Sequence, residues 1–295
     1  MTHTDVPVTT FAGVSRVEET SPGRFGTHIS PEWTIAGKPN GGYLLAILGR
    51  AATHVVPHQD VLAASAHYLH SPDPGPATIE TDVLRAGRSA SQVRTRLTQD
   101  GTACIEALTT VGTLVEDTKP YWSGGLPEPT VRDREHCIRV GSASPSGLTV
   151  AIMDQVDLRI QPEDLSFGVG KPRGVGELNG WLELPGGGSF DPISLLYAVD
   201  SFPPATLDIE LTGWVPTLEL TAYVRALPAP GSRRPGSSTH RRSIRPASSG
   251  TAPGASSPSP PSSPASASAE TKVLVAGVAV SLLLEREDWA AARTS

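Results

Sequence analysis

Residues 41–56 read as a helix that is apolar on almost every side, and such a helix cannot lie on a protein surface. Tyr43, Leu44, Ile47, Leu48 and Ala51 recur at helical spacing, while Leu45, Ala46, Ala52 and Val55 widen the stripe nearly all round. Burying it takes a cover that bends around it, which a curved sheet supplies. Asn40 in front of it is a favoured N-cap, and Pro57 stands just behind its end.

The cover is legible downstream. Residues 61–70, 77–86, 90–99 and 103–115 read as strands, with turn residues at 72–76 and at Asp100-Gly101. In 78–85 and 92–97 polar residues alternate with apolar or small ones, the period of an antiparallel sheet with one wet face. Upstream, 13–19 and 23–29 read as two more strands parted by Ser21-Pro22. The order then begins again, with strands at 156–160 and 176–184, a second apolar helix over 193–202 opened by Asp191-Pro192, and a strand at 215–227. Strand, strand, buried helix, strand thus occurs twice at an offset of about 150 residues, an architectural repeat whose copies share little sequence. The expected units are 11–118, a Pro/Gly/Ser-rich linker at 119–150, and an incomplete second unit at 151–230.

The C-terminal part obeys other rules. Residues 1–230 carry 16 Lys/Arg against 26 Asp/Glu, a balance of −10, whereas 231–295 carry 8 against 4, a balance of +4. In 231–270, Ser, Pro, Ala and Gly fill 30 of 40 positions, which leaves too little apolar surface to offset ordering entropy. The expectation is a disordered low-complexity tail over 231–295. Within it, 273–284 is a largely apolar run of 12 residues, short of the roughly 18–20 that a spanning helix requires. No membrane association is expected. The net charge of −6 removes the basic face that nucleic-acid binding uses.

Cys104 and Cys137 have no metal-ligand spacing and are too few for a disulfide scaffold, and the N-terminus shows no secretory pattern. The expectation is a cytoplasmic protein with two buried thiols. His67 and His70, three apart in a strand, point to opposite faces, which suits neither a metal site nor a catalytic pair. No metal or cofactor is expected. No G-x-S-x-G occurs either, so an α/β-hydrolase route is unsupported.

Three strings carry a family resemblance. Gly37-Lys38-Pro39-Asn40-Gly41-Gly42-Tyr43-Leu44 resembles the start of the first helix of the TesB-like acyl-CoA thioesterases. Leu195-Leu196-Tyr197-Ala198-Val199-Asp200 resembles their second helix, and Gly213-Trp214-Val215-Pro216-Thr217-Leu218-Glu219-Leu220 the strand after it. The resemblance implies an α+β tandem (double) hotdog fold, incomplete at its C-terminal strands, and hydrolysis of acyl-CoA by an activated water.

It also implies site residues. Asp200 would hold and polarise the water, Thr217 would assist, and a Gln from a late strand would complete the set. By position, Asp200 ends an apolar string, a setting suited to a base or water-binding role. Asn40, Gly41 and Gly42 would present backbone N–H groups from a helix N-terminus to the thioester oxygen or to a CoA phosphate. The Gln is absent, since the last one in the chain is Gln161. A non-catalytic acyl-CoA-binding protein is therefore the alternative.

The tail departs from the family, which ends in strands bearing a motif like LWD..GR.VAQS.QLA. Regrouping the codons one base out of frame lets the stretch ending at Ala269 read CLLWDRAGRIVAQSTQLARVRLR, with a stop at the next junction. The hypothesis is a one-nucleotide frameshift of the family's own C-terminal strands, with 270–295 as downstream sequence never selected to fold; a genuine disordered linker is the alternative, and resequencing of the gene tests it. Loss of the last strands would leave an unpaired sheet edge, open to aggregation or to a homo-oligomer.

Overall fold

The computed structural model describes residues 10–115, 131–144, 147–211, 216–227 and 239–243. Asn40 starts the central helix α2 (Gly41–His54), and ten of its fourteen residues are buried. A helical turn, α1 (Phe11–Val14), and two strands, β1 (Glu18–Ser21) and β2 (Arg24–Ile29), precede it. A short ribbon of β3 (Thr34–Ile35) and β4 (Lys38–Pro39) leads into α2. Four strands follow: β5 (Asp60–Tyr68), β6 (Gly75–Ala86), β7 (Ala90–Gln99) and β8 (Thr102–Gly112).

These strands wrap α2 because one phase of each is apolar or small. In β7, Ser91, Val93, Thr95 and Leu97 are buried while Gln92, Arg94 and Arg96 are exposed. Residues 13–19, expected as strand, differ: Phe11 and Val14 are buried three apart on a helical turn, and the Thr10 hydroxyl accepts from the Gly13 N–H. A period of three is easily mistaken for alternation over so short a stretch. Phe11, Trp33, Tyr43 and the later Tyr197 form an aromatic cluster with ring centroids 5.1–5.5 Å apart along its contacts. The Tyr43 hydroxyl donates to the Val14 carbonyl at 2.8 Å, and burial pushes its pKa up to about 12.

The second half repeats the order with β9 (Ile138–Arg139), β10 (Asp157–Ile160), β11 (Glu177–Glu183), α3 (Pro192–Ala198), α4 (Thr206–Ile209), β12 (Glu219–Tyr223) and β13 (Thr239–Ser243). Described residues inside two of the expected irregular segments form strands. The expected linker over 119–150 contains β9, and the Arg132 N–H donates to Gln161 Oε1 at 2.8 Å while its carbonyl accepts from Trp181 Nε1 at 2.8 Å. Backbone bonds of that kind leave no trace in composition. The expected disordered tail contains β13, which pairs antiparallel with β11 from Glu177↔Ser243 to Trp181↔Thr239. Strand pairing draws on backbone groups, so a scarcity of large apolar side chains does not forbid it. The rest of the tail lies outside the described residues.

A strand pair and a helix pair join the halves, beside the aromatic cluster. β12 pairs antiparallel with β5, from Glu219↔His67 to Tyr223↔Ala63, so the large sheet runs β1-β2-β6-β7-β8-β5-β12 across both halves. On the inner side α2 lies against α3 at glycines: a Cβ on Gly42 would stand 2.8 Å from the Tyr197 carbonyl oxygen, and one on Gly49 would stand 2.6 Å from Leu196 Cδ1.

Behind them, Arg173 clamps two buried carboxylates, donating to both oxygens of Asp208 at 2.8 Å and to Asp164 Oδ1 at 2.6 Å. Burial opposes ionisation of Asp208, but the guanidinium and backbone N–H groups outweigh it and hold the carboxyl below its usual range. The clamp therefore contributes stability at neutral pH that is lost as pH falls through that lowered value.

Gly42→Ala should lower stability by about 1–3 kcal/mol through overpacking against backbone that cannot yield. Helix propensity alone predicts a gain of about 1 kcal/mol, so the sign in a urea melt decides. Arg173→Ala strands two buried carboxylates, and we expect a loss of about 3 kcal/mol or more at pH 7, shrinking as the medium is acidified below about pH 4.

Candidate active site

Asn40 does two things at once. Its Oδ1 accepts from the Tyr43 N–H at 2.9 Å, capping α2 and fixing which end of the amide is the donor. Its Nδ2 then donates to the Asp200 carbonyl oxygen at 3.0 Å and to Asp200 Oδ2 at 3.2 Å. The Gly42 N–H donates to the same carboxylate oxygen at 3.0 Å. Asp200 reaches this place because the chain stays tightly wound past the end of α3, with its own N–H donating to the Tyr197 carbonyl at 2.9 Å. Asn40 is 5% exposed and Asp200 7%. A carboxylate thus faces the positive end of a helix from the opposite half of the chain, the favourable sense of that pairing.

Gly41 stands where these groups meet. A Cβ there would lie 3.0 Å from Asp200 Oδ2 and 3.2 Å from the Tyr68 hydroxyl. Tyr68, the last residue of β5, donates its hydroxyl to the Gly41 carbonyl at 2.7 Å. Burial raises the Tyr68 pKa well above the usual phenol value, and the Asp200 charge adds to the rise. The same two causes raise Tyr197. Both phenols therefore stay neutral. The Gly41 N–H, first in the helix, has no intrahelical acceptor and no hydrogen-bond partner among the described residues.

The structure thus brings Asn40, Gly41, Gly42 and Asp200 together. Thr217 is half-buried, and its hydroxyl makes no hydrogen bond among the described residues. It lies one residue before Leu218, whose carbonyl accepts from the Tyr68 N–H at 2.9 Å, on the same strand pair that ends at the site. Gln161 is elsewhere, held by Arg132 and Asp164. Sequence reading missed Tyr68, because a tyrosine in a strand reads as an ordinary strand residue. Among the described residues no cluster of three His, Cys, Asp or Glu side chains forms a metal site, and no helix is long and apolar enough to cross a membrane.

Known proteins resemble this chain in sequence and fold. The acyl-CoA thioesterase N-terminal domain model matches residues 29–112, and the acyl-CoA thioesterase C-terminal domain model matches residues 130–247. A Thermobifida fusca protein assigned as a thioesterase II aligns with a TM-score of 0.69 at 30% identity, over 77% of this chain and 84% of that one. A hot dog fold protein of Alicyclobacillus acidocaldarius aligns with a TM-score of 0.60 at 19% identity, over 72% and 77%. An uncharacterized protein of Mycobacterium tuberculosis is 29% identical over 231 residues, 70% of this chain and 77% of its own. The chain belongs to the acyl-CoA thioesterase family, a class of hydrolases, in the TesB-like form that sets two hotdog domains in tandem. The α+β tandem hotdog fold that the three strings implied is the fold observed.

Asn40→Ala should cost about 1–3 kcal/mol, from the lost cap and the donor withdrawn from a buried carboxylate. Asn40→Asp keeps the cap but sets a second carboxylate against Asp200, so it should be the less stable variant at pH 7. Like charges raise a carboxyl pKa, and that penalty should shrink as pH falls toward 5. Denaturant midpoints of both variants across pH 5–8 test the sign.

Proposed function

We propose that this protein hydrolyses the thioester of an acyl-CoA at the N-terminus of α2, with water as the nucleophile. One observation carries the reading: the Asp200 carboxylate is held by Asn40 Nδ2 and the Gly42 N–H at the mouth of a helix from the other half. Asp200 holds the water and accepts its proton, and the water oxygen adds to the thioester carbon. The Gly41 N–H, reinforced by the helix end, supports the negative charge that develops on the carbonyl oxygen. When the intermediate collapses the C–S bond breaks, CoA departs as a thiol on receiving the proton, and the free acid remains. Thr217 assists from the end of the β5–β12 pair. Asn40 and Gly42 hold the carboxylate in place, and Tyr68 holds the Gly41 carbonyl. The free thiols Cys104 and Cys137 fit a cytoplasmic setting, where acyl-CoA esters are found.

The test is free-thiol release from a panel of acyl-CoA esters, run on this chain and on a version with the reading frame restored after about Gly231. Asp200→Asn, made in whichever version turns over, should lower kcat by roughly 10²–10⁴ while leaving the fold intact. Turnover that survives Asp200→Asn refutes the assignment. Turnover confined to the restored version would locate the missing group in the C-terminal strands.

A further inference from the structure

Tyr68 closes β5 at the point where three parts of the site come together. Its backbone N–H donates to the Leu218 carbonyl at 2.9 Å, which ties it to the stretch of the second half that follows Thr217. Its side chain reaches the other way, and the hydroxyl donates to the Gly41 carbonyl at 2.7 Å. The ring stands against the place a side chain on Gly41 would take, since a Cβ there would lie 3.2 Å from Tyr68 Cζ and from its hydroxyl. Burial first, and then the Asp200 charge, keep the phenol protonated well past its usual range, so the donor is present at every working pH.

The Gly41 carbonyl and the Gly42 N–H belong to one peptide group. The bond from Tyr68 enters that group at its oxygen, and the bond to Asp200 Oδ2, 3.0 Å long, leaves it at its nitrogen. Resonance couples the two ends: drawing electron density onto the carbonyl oxygen makes the N–H a stronger donor. A carbonyl has two lone pairs, so the phenol adds to the bond that the helix makes there rather than displacing it. Support that arrives through a peptide also takes up none of the carboxylate's acceptor sites, as a phenol bonded directly to Asp200 would. That matters for a carboxylate whose task is to hold a water.

We propose that Tyr68 is a positioning residue for Asp200, acting through the Gly41–Gly42 peptide to strengthen the N–H that holds the carboxylate. The inference rests on the assignment of Asp200 as the group that holds the water. It gives the register of the sheet a chemical consequence. The pairings Glu219↔His67 and Tyr68↔Ile105 set the level at which β5 ends, and so where the phenol meets Gly41. A slip of one residue in β5 would turn Tyr68 to the other face of the sheet and open the chain of bonds.

The chemical shift of the Gly42 amide proton tests it, because a stronger hydrogen bond moves such a proton downfield. It is read in the isotope-labelled full chain, in Tyr68→Phe and in a form carrying a ring-fluorinated tyrosine at position 68. In Tyr68→Phe the Gly42 proton should move upfield, while the Leu44 amide proton, bonded to the Asn40 carbonyl outside the relay, stays in place. The fluorinated phenol is the stronger donor and should move the Gly42 proton downfield, a reversal that a change of packing does not produce. A Gly42 proton indifferent to both replacements overturns the proposal, and so does one that moves only together with Leu44. Where acyl-CoA is turned over, Tyr68→Phe should lower kcat by about 3–10-fold with KM within about twofold. An unchanged kcat overturns the positioning role even if the proton moves. The shift is read without substrate, so its failure is separate from failure of the hydrolytic assignment, which Asp200→Asn decides. If Tyr68→Phe does not fold, the fluorinated form, which keeps ring and hydroxyl, carries the test.

Discussion

The close approach of α2 to α3 is the constraint on which the rest depends. Gly42 lets the Tyr197 carbonyl come within a distance that no side chain at that position allows. The same approach brings Asp200 within hydrogen-bond reach of the Gly42 N–H and Asn40. Packing and chemistry are therefore set by one missing Cβ. A larger residue would push the second helix away and take the carboxylate with it.

Around that contact the two halves are joined by unlike forces. The inner joint is largely apolar, with Leu196, Tyr197, Ile47 and Leu48 all buried. The outer joint is the β5–β12 ladder, whose strength lies in backbone bonds. The Arg173 clamp adds an ionic element that ties α4, just past Asp200, to the residues before β11. Neither joint alone places Asp200: the helices set its depth, and the ladder sets where the site ends at Tyr68.

Sequence periodicity made much of this legible and was silent where contacts are long-range. The helix at α2 and the strands β5–β8 were readable because each element repeats one period over nine or more residues. Asn40 and Asp200 were visible as a cap and as a carboxylate closing an apolar string, but their meeting, 160 residues apart, leaves no local mark. The ordered part of the expected linker was hidden for a related reason, since Arg132 is held through its backbone. Tyr68 escaped because its role lies in where its hydroxyl ends, which strand alternation does not encode. The helical turn α1 was misread because four residues are too few to separate a period of two from a period of three.

The repeat leaves its two helix N-termini chemically unlike. Aligning the two helix N-caps, Asn40 and Asp191, sets Asp200 opposite Gly49 in the repeat. Where one half offers a carboxylate to its neighbour's helix mouth, the other offers a glycine pressed by the Leu196 side chain, and Asp191 closes its own cap with Ser194. The pseudo-symmetry that built the fold has therefore been broken in its chemistry. Of the two repeated helix N-termini, one meets a carboxylate from the other copy, and the other closes its own cap beside a cavity lined by Phe11, Asp191 and Ser194.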